Sequence, residues 1–222
     1  MRAFWAILSK DLRVELRTLQ SLPGMALFAI TTFVLFRFGL DRTSLDGSLA
    51  AGVLLATLLF AAILAINRLF VAERDQGGFD VIRLAPIDGT ALLAAKTAAL
   101  VAYLAVLELV AVPVFAIFFL DGVAALPPLI PVLLLADVGL AATGVLVSSL
   151  AIGSNARDLL VPLLLLPLLV PLMIAAAGAA EPLLAAGGPS YDELAKWLGV
   201  LGLYDVIFLL VGYGVFDFVL ED

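Results

Sequence analysis

The chain has 222 residues, 64% of them hydrophobic, and a mean hydropathy of +1.19. A soluble core of that size cannot hide so much Leu, Ala and Val, so the bilayer is the solvent and a water-soluble globular fold is excluded. Cys and His are absent, which removes disulfides, thiolate catalysis, zinc sites and His-ligated haem from the chain's own chemistry. The net charge of −7 disfavours nucleic acid or an anionic lipid surface as partner of the chain as a whole.

Residues 2–20 read as an amphipathic helix. Phe4, Leu8, Leu12, Leu16 and Leu19 recur at helical spacing, with Arg2, Lys10, Asp11, Arg13 and Arg17 on the other side. This pattern predicts a helix lying in the cytoplasmic interface with Trp5 at headgroup depth, and it is too polar for a cleavable signal peptide. Six spans follow, at 22–40, 49–71, 91–120, 129–152, 159–180 and 194–220, giving an all-α polytopic membrane protein whose 222 residues form one transmembrane domain. The loop 41–48 and the loop 121–128, with its two prolines, are tight connections. Gly139, Thr143, Gly144 and Ser148 in the fourth span suit close helix packing. Pro162, Pro167 and Pro171 predict a kinked or broken fifth span that acts as a hinge. Residues 181–192 have room for a short re-entrant piece.

Basic residues orient the chain. With the N-terminus inside, Arg2, Lys10, Arg13, Arg17, Arg68, Arg74, Arg83, Lys96 and Arg157 are cytoplasmic, against Arg37, Arg42 and Lys196 outside. Nine against three places both termini in the cytoplasm.

The longest charged interruption is 72–96. Phe79, Val81, Ile82 and Leu84 are set among Glu73, Arg74, Asp75, Asp80, Arg83 and Asp88, and a plain solvated loop would not need that apolar cluster. A short amphipathic helix against a partner would. Glu73, Arg74, Asp75, Gly77, Gly78, Phe79, Ile82, Leu84 and Pro86 are therefore the candidate contacts through which another subunit moves the membrane part.

Four acids fall within spans: Glu108, Asp137, Asp205 and Asp217. Asp217 is close enough to a span end to be solvated. Glu108, Asp137 and Asp205 need a partner, a proton or water, and for the first two the readings are a polar path, a proton relay, a subunit contact, or a hydrogen bond to a neighbouring Ser, Thr or Tyr. Ser148, Ser149 and Ser154 have no His or nearby Lys to activate them, and no GxxxxGK[ST] phosphate loop is present. No catalytic, cofactor-binding or metal-ligating residue is expected, and any ATP and Mg would sit on another polypeptide.

The opening residues 4–17 (FWAILSKDLRVELR), the acidic-Gly-apolar-Pro pattern of 68–96 and the proline-rich 159–179 (LLVPLLLLPLLVPLMIAAAGA) resemble the CcmB family over essentially the full chain. These are membrane subunits of the cytochrome c maturation, or haem exporter, ABC complex, of the ABC-2 permease type. The resemblance implies a cell inner-membrane protein, a homodimer within its complex, with a CcmA-like ATPase on the segment after the second span and a cytoplasmic coupling helix there. It further implies CcmC-like and CcmE-like haem-handling partners, with haem as cargo and ATP hydrolysis linked to release of the haem-loaded chaperone. The competing readings are an ABC-2 permease for a lipid, glycan or drug, a non-transporting scaffold, and an intramembrane hydrolase using Asp137 or Glu108.

Overall fold

The computed structural model describes residues 2–19, 21–40, 42, 44–69, 89–151, 157–187 and 189–221. Among them the ordered elements are helices: α1 (Arg2–Thr18), α2 (Leu22–Gly39), α3 (Gly47–Arg68), α4 (Gly89–Phe119), α5 (Leu126–Leu150), α6 (Arg157–Leu183) and α7 (Leu194–Glu221). Six of them, α2 to α7, are long and apolar enough to cross a bilayer. The protein is a polytopic all-α membrane protein.

The packing is a ring around one helix. α5 touches α3, α4, α6 and α7, and α2 closes the ring between α3 and α4. In their most apolar stretches α5 is 72% and α3 67% buried, against 17% for α2 and 22% for α7, so the last two lie at the outside of the bundle. Small residues let α5 sit at the centre. A Cβ on Gly139 would stand 2.6 Å from Leu172 Cδ1 of α6, and one on Gly144 would stand 2.6 Å from Ile66 Cδ1 of α3. The packing role expected for these glycines is what the fold uses.

At one end of the bundle the α2–α3 connection is pinned by backbone. Leu45 N–H donates to the Phe119 carbonyl at 2.9 Å and Gly47 N–H to the Leu184 carbonyl at 2.9 Å. Gly47 has φ +51°, a left-handed conformation that suits glycine, and starts α3 two residues earlier than the apolar pattern suggests. Phe33 of α2 packs against Phe115 and Phe119 of α4, tilted and edge-on, at 5.5 and 6.2 Å between ring centres. Pro127 and Pro128 lie in the first turn of α5, where helix N–H groups have no partner in any case, instead of in the loop.

Of the kinked or broken fifth span expected, the broken form is corrected: α6 is one continuous helix through Pro162, Pro167, Pro171 and Pro182. Residues 184–187 and 189–193 are turns and irregular chain, so no re-entrant helix lies among the described residues there.

Glycine substitutions test the packing. Gly178→Ala is expected to destabilise by about 1–3 kcal/mol, because its Cβ would meet three atoms of the rigid Trp197 ring at 2.5–2.8 Å. Gly202, with nothing within 4 Å, should accept Ala with a gain of up to about 1 kcal/mol. Thermal unfolding of the detergent-solubilised protein separates the two.

Candidate functional site

The site begins at the end of α3. A helix C-terminus leaves its last carbonyls without N–H partners. Here other helices supply donors: Ser148 Oγ of α5 donates to the Ile66 carbonyl at 3.1 Å, and Lys96 Nζ of α4 donates to the Leu69 carbonyl at 3.3 Å. The ammonium also complements the negative end of the α3 dipole.

Lys96 is only 2% exposed. A buried ammonium needs an opposite charge as well as hydrogen bonds. Asp11 of α1 provides it, with Oδ2 3.0 Å from Nζ, while Oδ1 lies 3.0 Å from the solvent-side Lys10. Tyr103, two turns further along α4, donates its hydroxyl to the Asp11 backbone carbonyl at 3.1 Å. One turn along α1, Glu15 Oε1 accepts the N–H groups of Ser21 and Leu22 at 2.8 and 2.9 Å. It thereby caps α2, whose Ser21 makes no side-chain cap of its own.

These contacts correct the reading of α1. The helix forms where expected, but Asp11 does not share the outer side with the arginines. Asp11 and Glu15 are the two buried residues of α1, while Leu16 and Leu19 are exposed. Apolar periodicity could not reveal this, because the face that docks on the bundle is anchored by carboxylates. Glu15 was missed as a functional residue; its position six residues before the first span-starting N–H groups is the available signal.

The candidate contacts Glu73, Arg74, Asp75, Gly77, Gly78, Phe79, Ile82, Leu84 and Pro86 lie outside the described residues. What is described is both ends of that segment. Chain leaves at Leu69, whose carbonyl Lys96 holds, and returns at Gly89, which is buried and opens the helix that carries Lys96. α4 has 31 residues, about 46 Å of helix, against a hydrocarbon core of about 30 Å. It therefore has length to spare beyond the bilayer. A rigid rod, a strap helix and the mouth of the polar segment meet at one ion pair.

The family model for the CcmB protein matches residues 2–216, from α1 through the 70–88 segment and into the last turns of α7. The chain belongs to the CcmB family. It is thus the permease-type membrane subunit of a cytochrome c maturation ABC transporter, a complex with further subunits. Among curated proteins the chain finds no match.

In this CcmB-family subunit the polar groups at membrane depth sort into two kinds. The first is satisfied. Tyr204 of α7 donates to the Leu168 carbonyl of α6 at 3.0 Å, and Thr143 of α5 meets the same hydroxyl at 3.0 Å. With its single proton given to Leu168, Tyr204 accepts from Thr143. The second kind is the acids. Glu108 shares a face of α4 with the buried Leu104, Ala111 and Phe115. Asp137 is buried and its Oδ2 has no hydrogen-bond partner; Asp205 is buried against the Gly139 backbone and neither oxygen has one. A hydroxyl partner, one of the readings for Asp137, is not found among the described residues, where Thr143 and Tyr204 bond each other. The Asp217 side chain lies outside the described residues.

Asp11→Leu, which leaves the buried ammonium of Lys96 without its carboxylate, is expected to destabilise by about 3–5 kcal/mol, and adding Lys96→Met to recover most of it. A double variant no more stable than the single one contradicts the pairing. Asp137→Asn and Asp205→Asn are expected to leave thermal stability unchanged or raise it by about 1–3 kcal/mol, as each removes a chargeable group that has no donor. A lowered unfolding midpoint would show that the carboxylates are structural.

Proposed function

We propose that this subunit couples ATP hydrolysis by a separate CcmA-like ATPase to haem delivery, by moving a haem-handling partner and releasing a haem-loaded chaperone. The observation that carries the reading is the ion-paired node, in a CcmB-family chain, at the two ends of the segment 70–88. In this proposal the ATPase presses on Glu73–Pro86 from the cytoplasm. Leu69 and Gly89 are then the points where the push enters α3 and α4. α5 lies against both helices and against α6, so displacement at the node reaches the proline-rich helix through packed contacts. Pro162, Pro167 and Pro171 are the places where α6 yields.

The donor set favours a relay over a resident haem site. Without His or Cys, thioether and phenol groups are the remaining haem ligands. Met25 is fully buried in the core and Met173 packs against it, so neither is presented to a ligand. Haem is accordingly treated as cargo of the complex, handled by CcmC-like and CcmE-like partners, with ATP and Mg on the ATPase. The reading places the protein in the inner membrane with both termini cytoplasmic, and two copies in the complex.

Disrupting the gene should abolish covalently attached haem in membrane c-type cytochromes, and a wild-type copy should restore it. Asp75→Lys or Phe79→Asp should lose co-purification of the ATPase while the subunit still inserts in the membrane. Normal haem attachment in the disrupted strain removes the haem role. Normal ATPase co-purification from the variants removes the segment as the coupling site.

A further inference from the structure

α1 sorts its charges, and the sorting leaves it with three faces. Asp11 and Glu15 turn into the bundle. At about 100° per residue, Arg2, Arg13 and Arg17 fall within an arc of roughly 60° centred nearly opposite Asp11. All three are exposed, and none of them forms an ion pair with an acid of the described residues. Lys10 is not part of this set, because it pairs with Asp11. Between the basic arc and the docked face runs an apolar stripe with Trp5 64% and Leu16 73% exposed.

The level of this helix is fixed. Only residues 19–21 separate Thr18 from Leu22, where a membrane span begins, and Glu15 holds the first N–H groups of that span. α1 therefore stays at the depth of the α2 N-terminus, where acyl chains give way to headgroups. At that depth an exposed Trp and Leu beside three arginines meet chains and phosphates together. We infer that the outer face of α1 is a binding surface for anionic phospholipid, with Arg2, Arg13 and Arg17 on the headgroup phosphates and Trp5 and Leu16 among the upper acyl chains. The occupant is lipid and not an acidic protein because the apolar stripe, with Trp5 and Leu16 exposed, is continuous with the basic one. The net charge of −7 makes the sorting necessary: without it the chain would repel the lipid that the helix end requires. This inference rests on the membrane placement of α2 and is independent of the haem role.

The test uses the full chain with Trp197→Phe, which leaves Trp5 as its tryptophan, in phosphatidylcholine nanodiscs. A small fraction of brominated phosphatidylglycerol is added, or the same fraction of brominated phosphatidylcholine, and Trp5 fluorescence is read. At low salt the anionic quencher should act at a concentration lower by about fivefold for each arginine engaged, and high salt should erase the preference. Arg2→Gln, Arg13→Gln and Arg17→Gln together should abolish it, and the corresponding three Lys replacements should keep it. Should Trp197→Phe fail to fold, the difference between wild type and Trp5→Phe gives the same reading. Equal quenching by the two lipids overturns the inference. So does a preference that survives the Gln replacements, including the case in which those replacements instead detach the ATPase.

Discussion

A lysine ammonium with 2% exposure at one end of a membrane bundle constrains everything around it. Removing such a charge from water costs several kcal/mol unless a counter-charge and hydrogen bonds replace the lost hydration. For Lys96 the counter-charge comes from Asp11 and a hydrogen bond from the Leu69 carbonyl. The first requirement forces α1 to dock with its acidic side inward. The second sets the register between the end of α3 and the beginning of α4. Glu15, carried inward on the same face as Asp11, then reaches the start of α2. Three helix ends are thus located by two carboxylates on a helix that crosses nothing.

Further into the bundle the polar groups serve to join helices that apolar packing alone would leave free to slide. In lipid there is no hydrophobic force between helices, so close small-residue contact and hydrogen bonds set the arrangement. Gly139 and Gly144 admit Leu172 and Ile66, and Ser148, Thr143 and Tyr204 tie α5 to α3, α7 and, through Leu168, to α6. The hydroxyl on Leu168 joins α7 to the proline-rich stretch of α6, so a shift of α7 is felt there as well as a shift of α5.

Much of this architecture is legible in the sequence because bilayer thickness and hydrophobic length are local properties. The six spans lie within a few residues of where apolar runs place them, and Gly139 and Gly144 are recognisable as packing positions from spacing alone. The role of Asp11 is not legible in that way. Its partner is 85 positions away, and a carboxylate among Lys10, Arg13 and Arg17 looks solvated to any reading that uses periodicity. The loop prolines misled for a related reason: Pro127 and Pro128 mark a boundary, but only backbone geometry tells whether they end a loop or begin a helix.

The acids of the interior follow a different logic from the acids of α1. Asp11 and Glu15 meet an ammonium and two backbone N–H groups, so their burial is accounted for by structure. Asp137 and Asp205 are as deeply buried, and Asp137 Oδ2 and both oxygens of Asp205 have no hydrogen-bond partner. An ionised carboxylate at mid-bilayer costs about 2.5–3.5 kcal/mol, and packing here returns none of it through hydrogen bonds. The hydroxyls that could have served as partners are engaged in holding α6 to α7 and α5. Structural economy therefore explains the charged end of the bundle and does not explain its charged middle. Whatever retains those carboxylates acts on α4, α5 and α7, the helices that carry them.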